Sequence, residues 1–70
     1  MATYRVIDMR KGMTGRELSV EADTPEQAGQ IALKEKLMRS GNPRFLVCRV
    51  YWQTGNGTNM TRLYRQQMRF

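Results

Sequence analysis

The residues in this chain that can do chemistry are its arginines and the aromatic rings set among them. Nine of the twelve basic residues are arginine, against six carboxylates, and the formal charge is +6. A guanidinium is a planar fork that pairs bidentately with phosphate or carboxylate and stacks on flat rings, which lysine cannot do. Arg49 and Arg62 alternate with Tyr51 and Tyr64 in two segments of strand-like spacing. A second cluster, Lys34, Lys36, Arg39 and Arg44, surrounds the expected exit of a helix. Both groupings suit recognition of an anion, nucleic acid or an acidic protein surface. Neither suits bond making. An arginine-rich codon usage would produce the same bias without a partner.

The usual catalytic groups are missing. The sequence has no histidine, the common general base and metal ligand. Cys48 is a lone cysteine in the apolar run Phe45-Leu46-Val47-Cys48, where it reads as a small core side chain. It can form neither an internal disulfide nor a thiolate cluster. The carboxylates Asp8, Glu17, Glu21, Asp23, Glu26 and Glu35 are scattered, and no phosphate-cradling glycine loop is present. A chain of 70 residues is expected to be one domain, 1–70, burying only about 60% of its unfolded surface, with little room for an enclosed substrate pocket. The expectation is a non-enzymatic protein with no cofactor and no metal.

The longest purely apolar stretch is four residues, so no membrane span and no membrane partner are expected. No secretory signal is recognisable, and a free thiol fits a reducing compartment, the cytoplasm.

The elements that must position these residues follow from pattern. Tyr4-Arg5-Val6-Ile7-Asp8-Met9 is rich in strand formers, and Lys11-Gly12-Met13-Thr14-Gly15 punctuates the chain as a turn. Glu17-Leu18-Ser19-Val20-Glu21-Ala22 alternates polar and apolar, as a half-buried strand does. Thr24-Pro25-Glu26-Gln27 supplies an N-cap hydroxyl, a proline at the first helical position, an acid in the first turn and a reciprocal capping amide. The predicted helix covers residues 24–38 and stops at Ser40-Gly41-Asn42-Pro43. Ala28, Ile31, Ala32 and Met38 share one side of it, whereas Leu33 and Leu37 fall on another that a single buried stripe does not explain.

Two further strands are predicted over 45–53 and 59–67, joined by a two-residue type I′ turn at Asn56-Gly57. That turn pairs Val50 with Leu63 and Trp52 with Thr61 beneath the helix. On the other face it pairs Arg49 with Tyr64 and Tyr51 with Arg62. The expected fold is α+β, ββαββ: a four-stranded antiparallel sheet with one helix packed on one face. The opposite face is then open, with Phe45, Val47, Arg5, Ile7 and Met9 flanking the Arg–Tyr pairs.

Aromatic rings interleaved with cations can stack bases while tracking phosphates. Crossed Arg–Tyr contacts also stabilise a hairpin with no ligand, by roughly 0.5–1 kcal/mol per exposed pair. The basic helix exit has its own structural explanation, because Lys36 and Arg39 complement a helix C-terminus.

The strand–helix junction carries a resemblance. Val20-Glu21-Ala22-Asp23-Thr24-Pro25-Glu26-Gln27-Ala28, followed by Ile31-Ala32-Leu33-Lys34-Glu35, resembles small ββαββ anti-CRISPR proteins of phages and mobile elements that inhibit type I systems. The resemblance implies a protein that binds a type I effector (Cascade) complex, a crRNA-guided ribonucleoprotein, and blocks its target-DNA binding. Lys34 matches a contact position of that group. Gly29 and Gln30 stand where the relative carries basic side chains, and Lys36 replaces an amide. The function expected on this basis is phage-type inhibition by a monomer or weak homodimer. The alternatives are a stand-alone basic nucleic-acid-binding protein or phage regulator, and a homodimer joined through the open face.

Overall fold

The structure, a computed structural model, describes residues 2–10 and 17–66. It is an α+β fold of one helix and an antiparallel sheet. In chain order the elements are β1 (Ala2–Asp8), β2 (Glu17–Ala22), α1 (Pro25–Leu33), β3 (Leu37–Met38), β4 (Leu46–Thr54) and β5 (Gly57–Arg65), with a 3-10 turn at Pro43–Phe45. The sheet order is β2-β1-β4-β5-β3. The turn expected over 11–15 and the strand end expected at Gln67 lie outside the described residues.

The helix begins where its capping residues demand. Thr24 Oγ1 accepts from the Gln27 backbone N–H at 3.1 Å, and Gln27 Oε1 accepts from the Asp23 N–H at 2.7 Å. Pro25 occupies the first turn, where its missing N–H has no intrahelical partner to lose.

The helix ends earlier than its sequence suggests. Lys34 takes the left-handed conformation, φ 57° and ψ 39°, and its N–H donates to Gln30 O at 2.8 Å. A lysine held there costs roughly 1–2 kcal/mol. The chain is then free to turn back, so Leu37 and Met38 pair with Arg65 and Tyr64 as a fifth strand. Leu37 becomes a buried core residue. The four-stranded expectation is therefore corrected to five, and the misplaced Leu37 of the helical wheel is explained. Ile31, expected in the buried stripe, is 52% exposed, and Met38, now on an edge strand, is 46% exposed. Pro25, Ala28 and Gly29 form the buried helical face instead.

The core lies between that face and one side of the sheet. Val6, Val50, Cys48 and Leu63 are completely buried, with Tyr4, Ala22 and Ala28 around them. Val20, Ala32, Leu33 and Trp52 pack on its margin. Tyr4 and Trp52 meet edge to face, centroids 5.6 Å apart, a geometry worth about 0.5–1.5 kcal/mol beyond area burial. A bulge between Leu46 and Cys48 interrupts the strand alternation, and both Val47 and Cys48 are buried there. Val47 thus belongs to the core cluster and does not flank the open face as expected.

The β4–β5 hairpin has a different register from the expected one. Thr54 pairs with Gly57, so Gly55 and Asn56 are the turn residues. Positive φ falls on Gly57, at 124°, and not on Asn56. Type I′ requires positive φ at both central residues, so this turn is not type I′. The slip is two residues. From Cys48 onward along β4 it preserves which face each side chain occupies and changes every cross-strand partner.

Candidate nucleic-acid interface

The open face is a lattice set by three registers. Ile7 pairs with Glu17 on one side and Arg49 on the other, and Arg49 pairs with Arg62. This makes a row Glu17–Ile7–Arg49–Arg62 across four strands. The next row is Ser19–Arg5–Tyr51–Met60. On the other side of the arginine row, Tyr64 lies between Leu46 and Met38. Successive rows on one face of a sheet are about 7 Å apart along the strands.

The crossed Arg–Tyr pairs expected from sequence are therefore replaced. Arg49 stands directly opposite Arg62, and Tyr51 opposite Met60. Like charges in that position repel, at a cost of a few tenths to about 1 kcal/mol. Among the described residues neither guanidinium has a carboxylate partner. Arg49 Nε is buried and has no hydrogen-bond partner among the described residues. Arg5, in the adjoining row, reaches Glu17 only at 3.7 Å, with both side chains about half exposed. Tyr51 is half-buried beside it. Tyr64 is also half-buried and packs under Gly41, where an added Cβ would lie 3.1 Å from the tyrosine Cβ. Phe45, expected on this face as a strand residue, sits in the 3-10 turn.

The second basic cluster does not come together as one patch of unengaged charge. Lys34 is the exposed helix cap and Lys36 is exposed in the connector to β3. Arg39 Nε lies 2.8 Å from Glu26 Oε1, an ion pair without the alignment of a hydrogen bond. Arg44 is exposed, and its backbone N–H donates to Asn42 Oδ1.

Sequence inspection missed a charged bridge. Glu35 accepts from Arg65 Nε through Oε1 and from Arg10 Nη1 through Oε2, each at 2.8 Å, while Arg10 also grips Asp8. The bond from Arg65 holds the Glu35 carboxyl below its ordinary value against the opposing effect of burial, and Arg10 reinforces it. The Asp8 hydrogen bond raises the Arg10 pKa, so this guanidinium stays charged. No sequence spacing foretells this bridge, because its partners are 25 and 30 residues apart.

Burial, reinforced by Asp8, pushes the Cys48 thiol up to about 12, far from a reactive thiolate. Among the described residues no group of three His, Cys, Asp or Glu is placed to hold a metal. No described helix is long and apolar enough to cross a membrane.

Comparison with protein-family models, curated proteins and solved structures finds no match for this chain.

Proposed function

We propose that this chain is a non-enzymatic binding domain whose open sheet face takes the phosphate backbone of nucleic acid. The observation that carries this reading is Arg49 directly opposite Arg62 with no carboxylate among the described residues to relieve them. An anion seated between two guanidiniums turns their repulsion into two charge-assisted contacts, and each fork can donate to two oxygens. Arg5 one row away continues the positive track, and Tyr51 supplies an aromatic surface next to it.

The most specific form of this function is inhibition of a type I effector complex, in which guide and target strands supply the phosphate. The resemblance of residues 20–35 to anti-CRISPR proteins supports it, as do Lys34 and Lys36, exposed and without a carboxylate partner among the described residues. The other form is a regulator that acts on free nucleic acid.

Titrating labelled oligonucleotides at several salt concentrations tests the common reading. Affinity falls as salt rises, with a log–log slope of about −0.7 to −0.9 per phosphate contacted. Substituting Arg49→Gln and Arg62→Gln together flattens that slope. Absence of binding at low salt, or an unchanged slope, defeats the proposal. Target-DNA binding by a purified type I effector complex, with and without this protein, separates its two forms. Inhibition that Lys34→Glu/Lys36→Glu relieves favours the inhibitor. An uninhibited complex beside tight binding of free nucleic acid favours the regulator.

A further inference from the structure

A cavity of about 380 Å³ opens at the β3–β5 edge of the sheet. Met38 and Phe45 give it apolar walls, and Ser40, Asn42 and Gln66 give it uncharged polar groups. Its volume is at the low end of the roughly 300–1,000 Å³ of small-molecule sites, enough for one ring system. Arg65 also borders it, but its Nε already donates to Glu35. The cation is thus neutralised, and the cavity offers no unengaged charge for a phosphate or carboxylate. A neutral planar ligand with hydrogen-bonding edges fits this chemistry.

The walls are preorganised. Asn42 Oδ1 accepts from the Arg44 N–H at 2.9 Å, and Asn42 O accepts from the Phe45 N–H at 2.8 Å, which fixes the turn carrying Phe45. Gly41 rests against Tyr64, holding the 39–42 segment on the sheet. The Asn42 NH₂ and the side chains of Ser40 and Gln66 have no hydrogen-bond partner among the described residues. An amide offers donor and acceptor together, as the edge of a base requires.

Met38 pairs with Tyr64, and Arg62 lies two residues from Tyr64 along β5. The Met38–Tyr64 row, whose Met38 walls the cavity, therefore lies about 7 Å along the strands from the row of Arg62, a step comparable to one nucleotide. We propose that this cavity receives one unpaired base of a single-stranded nucleic acid whose phosphate lies over Arg62 and Arg49. The inference rests on the nucleic-acid reading above and adds that the strand is single and that one base is taken. A base in a duplex must be unstacked and unpaired before it enters, at a cost of a few kcal/mol.

The test compares three labelled probes of about eight nucleotides, within the usual footprint of single-strand binders: an intact single strand, an abasic strand of equal charge, and a blunt duplex. Free adenosine monophosphate serves as competitor. The intact strand binds at least about tenfold tighter than the abasic strand, the effect of one stacked base. Phe45→Leu and, separately, the surface change Gln66→Ala shrink that preference and leave abasic affinity and the salt slope unchanged. Arg49→Gln/Arg62→Gln weakens both strands. Circular dichroism verifies the fold of each variant. Equal affinity for intact and abasic strands overturns the base pocket and leaves the arginine face standing. Competition by the mononucleotide at the concentration that saturates with the strand makes a free nucleotide the ligand and overturns the strand. Failure of every probe to bind removes both proposals.

Discussion

Gly29 of the helix lies directly over Leu63 of the sheet: a Cβ added at Gly29 would stand 2.4 Å from Leu63 Cδ1. Leu37 Cδ1 and Cys48 Sγ would be 3.2 and 3.3 Å away, so the glycine closes the core between helix, β3, β4 and β5. Gly29→Ala raises helix propensity by about 1 kcal/mol. The overpacking it forces costs about 1–3 kcal/mol and prevails, because Leu63 is completely buried and has nowhere to move. Urea denaturation reads the net loss. A variant more stable than the native protein would disprove this packing.

Arg62→Glu makes opposite predictions for stability and for binding. Glutamate at that position faces Arg49 and converts a repulsive pair into an attractive one, a gain of about 0.2–1 kcal/mol. The same change removes the anion site. Stability rises while affinity for nucleic acid falls. A fall in both would mean that the arginines are not cross-strand partners, and unchanged affinity would mean that the pair is not the binding surface.

The hairpin turn separates its two described glycines. Gly57→Ala forces φ 124° on a residue with a Cβ and costs about 1–3 kcal/mol, although no atom obstructs the side chain. Gly55→Ala, where φ is not positive and space is equally open, is neutral or stabilising by up to about 1 kcal/mol. Thermal melts of the two variants decide it. Equal effects would contradict the turn.

The Glu35 bridge makes stability depend on acid. Its folded pKa lies below the unfolded value of 4.5, chiefly through the Arg65 hydrogen bond. The stability it contributes is therefore full above about pH 4.5 and is lost as pH falls through the lowered folded value. Arg10 and Arg65 are partly exposed, so solvent screens the ion pairs and Glu35→Gln costs only about 1 kcal/mol at neutral pH. Melting curves of native and Glu35→Gln protein converge on acidification. Curves that remain parallel would exclude the bridge as the source.

Much of this protein is determined by local pattern. Thr24, Pro25 and Gln27 set the helix start because capping involves only neighbouring groups. The alternation in β2 and in the β4–β5 hairpin beyond the bulge at Val47 sets which face each residue takes, and a register slip of two residues leaves that parity intact. The cross-strand partners were beyond sequence reasoning. Gly55-Asn56 and Asn56-Gly57 both compose plausible turns, and the competition was settled by the positive φ at Gly57 and the pairing of whole strands. The helix end was likewise decided by tertiary structure. Residues 35–38 continue a helical pattern, but burying Leu37 and extending the sheet at β5 outweigh the strain of a left-handed Lys34. The same event puts Glu35 between Arg10 and Arg65 and opens the cavity beside Met38. Composition determined that arginine would dominate the surface. Only the folded sheet placed two arginines face to face, because adjacency between strands depends on register and register depends on the whole chain.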